Sequence, residues 1–452
     1  MTERRPIRWF LSARDAGARL SEMPPLAESA AEPQLPSVWI DAERRFQTLF
    51  GFGGAFTEAS AVTWLRLSAE KQARLLAGYF DRATGHGYRI CRVHMGSCDF
   101  SLGHYAHVET REDFALESFS IERDRRALLP MIKAAQRAAG EPFKLLATPW
   151  SPPAWMKTNG RMNGGGSLRP DCRRAWARCF VRFIQAYAAE GVPIWGVSVQ
   201  NEPAATQTWD SCLYTAAEER DFVRDFLGPE LEAAGLGAVK ILVWDHNRDL
   251  LVERAGTVYA DDAAARYVWG AAFHWYGEDH FDQAQQLHDA WPDKQLLFTE
   301  GCQEGGPHHG SWDLGERYAR SMIADLNRWT VGWIDWNMLL DHDGGPNHVG
   351  NHCSAPMLLD AAGTSAEPQS SYFYIGHFAR FFAPGARRVL CASARQDLET
   401  LSCLNPDGSL AVVIMNRTES AQRFALRLGD NRTVAALPPR AIATYILPAT
   451  RG

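Results

Sequence analysis

Lys144-Leu-Leu-Ala-Thr148, the amphipathic run Arg174–Ala189 and Ile194-Trp-Gly-Val-Ser-Val-Gln200 read as a strand, a covering helix and a second strand. The two short runs are rich in aliphatic residues, as strands buried on both faces are, and the run between them repeats apolar residues at helical spacing. That order is a parallel βαβ unit. The alternation recurs on both sides of it. Strands are expected at Leu49–Gly53, Arg89–Val93, Lys144–Thr148, Ile194–Gln200, Lys240–Trp244, Val268–His274, Gln295–Thr299 and Gly332–Asn337. Helices are expected at Ser68–Phe80, Asp124–Ala139, Arg174–Ala189, Ala216–Ala234 and Leu314–Asn327, the fourth opening on Thr215 and Glu218 in capping-box spacing. Eight parallel strands can close into a (β/α)8 TIM barrel, which places this chain in the α/β class.

Outside the barrel, Val389–Ala392, Leu410–Met415, Thr433–Ala435 and Ala441–Ile446 are β-type runs separated by turns such as Asn405-Pro-Asp-Gly408. With β-type runs in the first stretch of the chain, they predict a side β-sandwich domain assembled from both termini. The expected organisation is residues 1–46 in the sandwich, 47–384 in the barrel and 385–452 back in the sandwich.

Composition narrows the partners. The 47 Lys and Arg against 53 Asp and Glu give a formal net charge of −6, with no basic stripe for a phosphate backbone, so nucleic acid is an unsuitable partner. The 16 Trp and 12 Tyr fit core packing and also the stacking faces that sugar rings use. Nine cysteines, odd in number and without a C-x-x-C pair, suggest reduced, buried thiols. Arg14, Asp15 and Arg19 interrupt any apolar leader, and no run approaches the ~18 residues of a membrane span, so the expected location is cytoplasmic.

In a barrel, reactive side chains sit at the C-terminal ends of strands. Strand four ends in Gln200-Asn201-Glu202-Pro203 and strand seven in Thr299-Glu300-Gly301, so Glu202 and Glu300 face one cavity. Hydrolysis of a glycosidic bond needs such a pair: one carboxyl protonates the leaving oxygen and the other meets the anomeric carbon. Either glutamate alone would read as a solvated loop residue. Both at strand ends read as a catalytic pair.

The motifs Gly51-Phe-Gly-Gly-Ala-Phe-Thr57, Arg92-Val-His-Met-Gly-Ser-Cys-Asp-Phe-Ser101, Thr148-Pro-Trp-Ser-Pro-Pro-Ala-Trp-Met-Lys-Thr-Asn-Gly160, Asn201-Glu-Pro203, Phe273-His-Trp-Tyr276, Thr299-Glu-Gly-Cys302 and Asp335-Trp-Asn337 occur in order along almost the whole chain. This pattern resembles glycoside hydrolase family 30, the glucosylceramidases and β-1,6-glucanases. The resemblance implies a barrel with a side sandwich, retention of configuration, Glu202 as acid/base and Glu300 as nucleophile. It further implies that Arg92, Asp99, Trp150, Asn201, His274, Tyr276, Trp336 and Asn337 serve the substrate, with Asn201 on the sugar 2-hydroxyl and His274 and Tyr276 on the nucleophile side. Arg92 would favour an ionised Glu300, and that charge would help Glu202 keep its proton. Barrel packing is the alternative for Trp150 and Trp336, and an N-cap for Asp99.

Ala205–Thr215 and Trp244–Asp249 look more like the β-1,6-glucanase branch, and an intracellular location favours small imported glycosides over polymers, so the expected substrate is a short β-linked glucoside, β-1,6 preferred. Glucosylceramidase, β-fucosidase, β-xylosidase and β-galactanase activities are the alternatives inside the family. A non-catalytic carbohydrate-binding barrel is the alternative outside it, opposed by the retention of both glutamates, Asn201 and Arg92. A Schiff-base aldolase would need a lysine at a strand end, and Lys144 lies at the wrong end of its strand. Gly51-Phe-Gly-Gly54 lacks GxGxxG spacing and implies close backbone approach rather than a nucleotide. His308, His309, His342, His348, His352 and Cys353 match no common zinc spacing. No metal and no organic cofactor are expected.

Overall fold

The computed structural model describes residues 6–26 and 34–447. Eight parallel strands close a barrel in chain order: β1 (Gly51–Phe56), β2 (Ile90–Met95), β3 (Lys144–Pro149), β4 (Gly196–Ser198), β5 (Lys240–Asn247), β6 (Val268–His274), β7 (Gln295–Glu300) and β8 (Thr330–Asn337). All eight expected strands are present. The first starts two residues later than its aliphatic pattern suggests, and the fourth keeps only three residues of regular pairing.

Closure of the ring depends on glycine at one close approach. β8 pairs with β1 through Gly332 with Gly51 and Ile334 with Gly53. A Cβ on Gly53 would lie 1.5 Å from the Ile90 carbonyl oxygen, which fulfils the expected close approach of backbones. Inside the ring the side chains form layers. Phe50, Trp195 and Trp269 pack edge-to-face and stacked at the N-terminal end. Ile90, Leu146, Leu242, Ala272, Leu297 and Ile334 make an apolar plug above them. One layer further up, Arg92, Thr148, Ser198, Asp245, His274 and Thr299 are all buried and polar. The plug seals the barrel below, so these polar groups can be satisfied only by one another or from the open end.

The helices cover this ring by burying one stripe each. Arg173–Ala189 buries Trp176, Phe180, Phe183 and Tyr187, spaced three or four residues apart, and each such side chain contributes roughly 2 to 3 kcal/mol of burial. The expected helix Ala216–Ala234 opens with the Thr215–Glu218 capping box but is interrupted by a π-turn at Val223–Leu227. Pro229, in the first turn of the following Gly228–Ala233 helix, has no N–H to continue the ladder. The expected pattern missed the helix Ser370–Ala379. It packs so closely on Trp312–Leu326 that a Cβ on Gly315 would lie 2.3 Å from the Tyr374 ring. No helix of the described residues is long and apolar enough to cross a membrane.

The sandwich is one curled, nine-stranded sheet in the order Asn431–Leu437, Gln422–Leu428, Ser37–Thr48, Arg387–Ser393, Leu398–Leu404, Leu410–Asn416, Ala441–Leu447, Ile7–Ala13, Ser21–Leu26. Its inner face buries alternate residues from both chain ends, among them Leu11, Val38, Val412, Ile414 and Tyr445. The N-terminal strand of this domain runs to Thr48, two residues past the expected boundary at 46. Buried His377 joins the domains, with Nε2 3.0 Å from Ser12 Oγ and Nδ1 2.9 Å from Thr444 Oγ1.

Candidate active site

The open end of the barrel is shaped by register shifts in three strands. In β5 the pairing slips between Trp244 and His246, and Trp244 and Asp245 take left-handed φ values of 74° and 50°. The extra residue turns Asp245 into the barrel. In β7 the slip between Phe298 and Glu300 lets Thr299 and Glu300 both serve the interior. In β8 the slip lies between Asp335 and Asn337, and Trp336 reaches the cavity. Glu202 also sits at positive φ, 45°, its N–H donating to the Asp245 carbonyl at 3.0 Å. Strain gathered on the residues that present carboxylates is a common mark of a functional site.

A single network holds these groups. Arg92, fully buried, donates through Nη1 to Glu300, through Nη2 to Asn201 Oδ1 at 2.9 Å and to Asp245 Oδ2 at 2.8 Å, and through Nε to Thr148 Oγ1 at 3.1 Å. Asp245 also accepts from Ser198 Oγ and from Thr299 Oγ1 at 2.6 Å, and its Oδ1 is 3.0 Å from His274 Nε2. His274 Nδ1 is 3.2 Å from Glu202 Oε1. Tyr276 donates its hydroxyl to Glu300 Oε1 at 2.9 Å. One ligand-type atom each of Glu202, His274 and Glu300 all lie within 4.8 Å of one another.

The proton balance follows from this wiring. Burial raises the Asp245 carboxyl, but Arg92 and His274 overcome it and hold Asp245 well below the usual carboxylate range. Burial alone would lower His274; the charges of Glu300, Asp245 and Glu202 instead raise it to about 9, so it is a cation at neutral pH. Burial also raises both glutamates. Around Glu202 the His274 hydrogen bond and the nearby positive charges outweigh burial and put it below its ordinary value, whereas Glu300 stays above. The sequence expectation had the proton on Glu202; burial favours it there, whereas the His274 hydrogen bond and the surrounding positive charges act against it.

Asp99, Trp150, Asn201, Glu202, Tyr276, Glu300 and Trp336 line one cavity that opens to solvent. Trp150 and Trp336 stack at 5.1 Å, and the Arg92 guanidinium lies 4.7 Å from the Trp150 ring. Packing and cavity lining are therefore both true of them. Asp99 caps no helix; it accepts from Asn351 Nδ2 at 3.0 Å, and burial followed by the charge of Glu300 raises its carboxyl. One expectation needs correction: Asn337 is turned away from the cavity, accepting from Thr57 Oγ1 at 2.6 Å. Arg92 and His274 are fully buried and hold residues that line the cavity, Arg92 holding Glu300 and Asn201 and His274 holding Glu202.

Sequence reasoning missed Asp245, although an acidic residue at the end of strand five met the strand-end rule. It also missed Gln207, Trp209, His246, Asn247, Cys302, Glu304, Asn351 and Cys353, most of them on loops beyond the strand ends. The loop histidines do not form the cluster considered from sequence. His308 Nε2 contacts the Glu304 carbonyl, His309 stacks on His342, and His348 lies beside His104 and Asp210.

Residues 49–382 match the glycosyl hydrolase family 30 TIM-barrel domain and residues 385–445 its beta sandwich domain. The chain is 39% identical over 429 residues to the lysosomal acid glucosylceramidase of Mus musculus, covering 90% of this chain and 82% of that one. It is 26% identical to an endo-1,6-beta-D-glucanase of Neurospora crassa, covering 97% and 95%. Relatives of both branches, glucosylceramidase and endo-1,6-β-glucanase, thus match over most of the chain. Among solved structures, SrfJ from Salmonella typhimurium superposes with a TM-score of 0.94 at 38% identity over 99% of this chain and all of that one. An endo-beta1,6-glucanase superposes with a TM-score of 0.89 at 28% identity, over 98% of this chain and all of that one. With a barrel that presents two facing glutamates and a sandwich built from both termini, the chain belongs to glycosyl hydrolase family 30 and is a glycoside hydrolase.

Proposed function

We propose that the protein is a retaining β-glucosidase in which Glu300 is the nucleophile and Glu202 the acid/base. The observation that carries this reading is the approach of Glu202 and Glu300 oxygens to within 4.8 Å, since retaining enzymes hold their carboxyl groups about 5 to 5.5 Å apart and inverting enzymes hold them further apart. In the first step the His274 Nδ1 proton passes to Glu202, while Arg92 and Tyr276 hold Glu300 as the anion. A Glu300 oxygen then bonds to the anomeric carbon as the bond to the leaving oxygen breaks, and Glu202 gives that oxygen its proton. In the second step Glu202 removes a proton from water and returns it to His274 Nδ1, the water oxygen bonds to the anomeric carbon, and the bond to Glu300 breaks. Asn201, its Oδ1 held by Arg92, offers its amide hydrogens to the sugar.

The substrate class is a β-D-glucoside of a primary alcohol. The relatives named as glucosylceramidases and as endo-1,6-β-glucanases share this chemistry: a glucosylceramide and a β-1,6-linked glucan both attach glucose to a CH2–O group. Within that class we favour short gluco-oligosaccharides of β-1,6 linkage, because the relatives named as endo-1,6-β-glucanases match over nearly the whole of both chains. Inactivation with a 2-fluoro-glucosyl fluoride followed by peptide mass analysis tests the mechanism. Label on Glu300 is expected, and label on Glu304 or Asp341 sinks the assignment. Comparing β-1,6-, β-1,4- and β-1,3-linked glucose disaccharides tests the linkage, with the β-1,6 isomer expected to give the highest kcat/KM.

A further inference from the structure

We propose a second site, a Zn2+-class cation site formed by His104, Asp210 and His348 beside the substrate cavity. The three residues come from the loops after β2, β4 and β8. His104 Nδ1 is 3.0 Å from Asp210 Oδ1, the His104 and His348 rings stand edge-to-face with centroids 4.7 Å apart, and one ligand-type atom of each residue lies within 4.8 Å of the other two.

Two buried atoms point to a ligand. His348 Nδ1 is 3.0 Å from the carbonyl oxygens of Asp99 and of Ser101. Both are acceptors, so Nδ1 carries a hydrogen, and in the neutral ring Nε2 then carries the lone pair. That Nε2 is shut off from solvent and has no hydrogen-bond partner, and the same holds for Oδ2 of Asp210, whose side chain is fully buried. An imidazole anchored through its other N–H to a backbone carbonyl is the usual way a protein fixes a metal-binding histidine. A hydrogen-bonded His104–Asp210 pair by itself leaves both atoms unsatisfied.

The donor set selects the ion. Two imidazole nitrogens and one carboxylate oxygen suit Zn2+, whereas Ca2+ and Mg2+ take oxygen shells. Zinc bonds of about 2.0 to 2.2 Å require the three donor atoms, within 4.8 Å of one another, to draw closer, and His104 is the exposed member with freedom to turn. Three protein ligands leave a fourth position on the His104 side for water. Asp210 follows Trp209, and His348 holds the main chain at Asp99; both neighbours line the cavity. The ion would clip three loops around the mouth of the active site. The ligands are far apart in the chain, 106 residues between His104 and Asp210, so no local spacing announced them.

The full chain, stripped with a chelator and dialysed against a Zn2+ buffer, tests the site by metal analysis and thermal unfolding. About one Zn2+ per chain should be retained and Tm should rise with added Zn2+. His104→Ala, on the exposed member, should lose both effects, and His104→Cys should keep them because a thiolate also binds zinc. Asp210→Asn should weaken retention at least tenfold. The proposal is overturned if wild type retains no Zn2+ above a metal-free control. It is equally overturned if retention is the same in His104→Ala and Asp210→Asn, or if Mg2+ displaces Zn2+ at equal concentration.

Discussion

Asp245 Oδ1 and His274 Nε2 are 3.0 Å apart at the floor of the cavity, and both side chains are fully buried. Through the far nitrogen of that imidazole, the charge of Asp245 reaches Glu202. Through its other oxygen it meets Arg92, which holds Glu300. One fully buried carboxylate outside the cavity lining therefore connects to both proposed catalytic groups.

Asp245→Asn keeps the shape of that hub and removes its charge. Arg92 then loses one of its two anions, and His274 loses the acceptor that fixes its protonated form. A fall in kcat/KM of about 100-fold or more is expected, by analogy with the loss seen when a carboxylate orienting a catalytic histidine is neutralised. Breaking a buried ion pair should also remove roughly 3 to 5 kcal/mol of stability. The Asp245 carboxyl lies below its ordinary value of about 3.9, so its contribution is complete above pH ~4 and is lost as pH falls from there. The Tm gap between wild type and variant should stay constant from pH 7 to 5 and narrow below pH 4. Wild-type Tm and kinetics in Asp245→Asn would falsify the hub.

His274 gives the opposite sign. Its folded value is raised to about 9 from an ordinary value near 6.5, so the stability it contributes is full below pH ~6.5 and is lost as pH rises through 9. The loss amounts to roughly 3 to 4 kcal/mol, taking about 1.4 kcal/mol for each pH unit. His274→Gln removes this term. Urea unfolding at pH 6, 7.5 and 9 should show wild type declining and the variant level in comparison; parallel curves refute the raised histidine.

The fold makes its own prediction at Gly53. A methyl group there would overlap the Ile90 carbonyl, both of them on strands of the closed ring. Gly53→Ala should prevent closure and cost at least 4 kcal/mol, in the range reserved for gross steric failures. Gly237→Ala, where the added carbon meets only Glu232 Cγ at 3.8 Å, serves as control and should unfold like wild type. A soluble Gly53→Ala protein with unchanged Tm is the adverse result.

What could be read from the sequence was whatever period and strand ends encode. Aliphatic runs located all eight strands, and their ends placed Glu202, Glu300, Asn201 and Trp150 at one rim. Register slips are invisible to periodicity: the one in β5 turned Asp245 inward, and Asn337, past the slip in β8, points to Thr57 instead of the cavity. Long-range meetings were equally hidden, since His104, Asp210 and His348 carry no common spacing. Burial depth was the third hidden quantity. A residue at a strand end can line the cavity, as Tyr276 does, or hold those that do, as Arg92 and His274 do.

Glu202→Ala should separate the two chemical steps, because one residue serves as acid in the first and base in the second. A glucoside with a dinitrophenolate leaving group needs little protonation, so its first step should proceed at close to the wild-type rate. The second step should slow at least 100-fold, for want of a base to activate water. The trace should show a burst of phenolate followed by low turnover. Azide attacks without a general base and fits the space vacated by the carboxylate, so it should raise turnover and yield β-glucosyl azide. A β-1,6-linked glucose disaccharide leaves as an alkoxide and needs its proton, so both steps should fail and azide should not rescue them. His274→Gln divides the acid from its proton source: it should impair the disaccharide more than the dinitrophenyl glucoside, since only the former draws on the proton carried from Nδ1 to Glu202. Equal slowing of both substrates in Glu202→Ala, with no burst and no azide product, would remove Glu202 from the acid/base role and with it the proton path through His274.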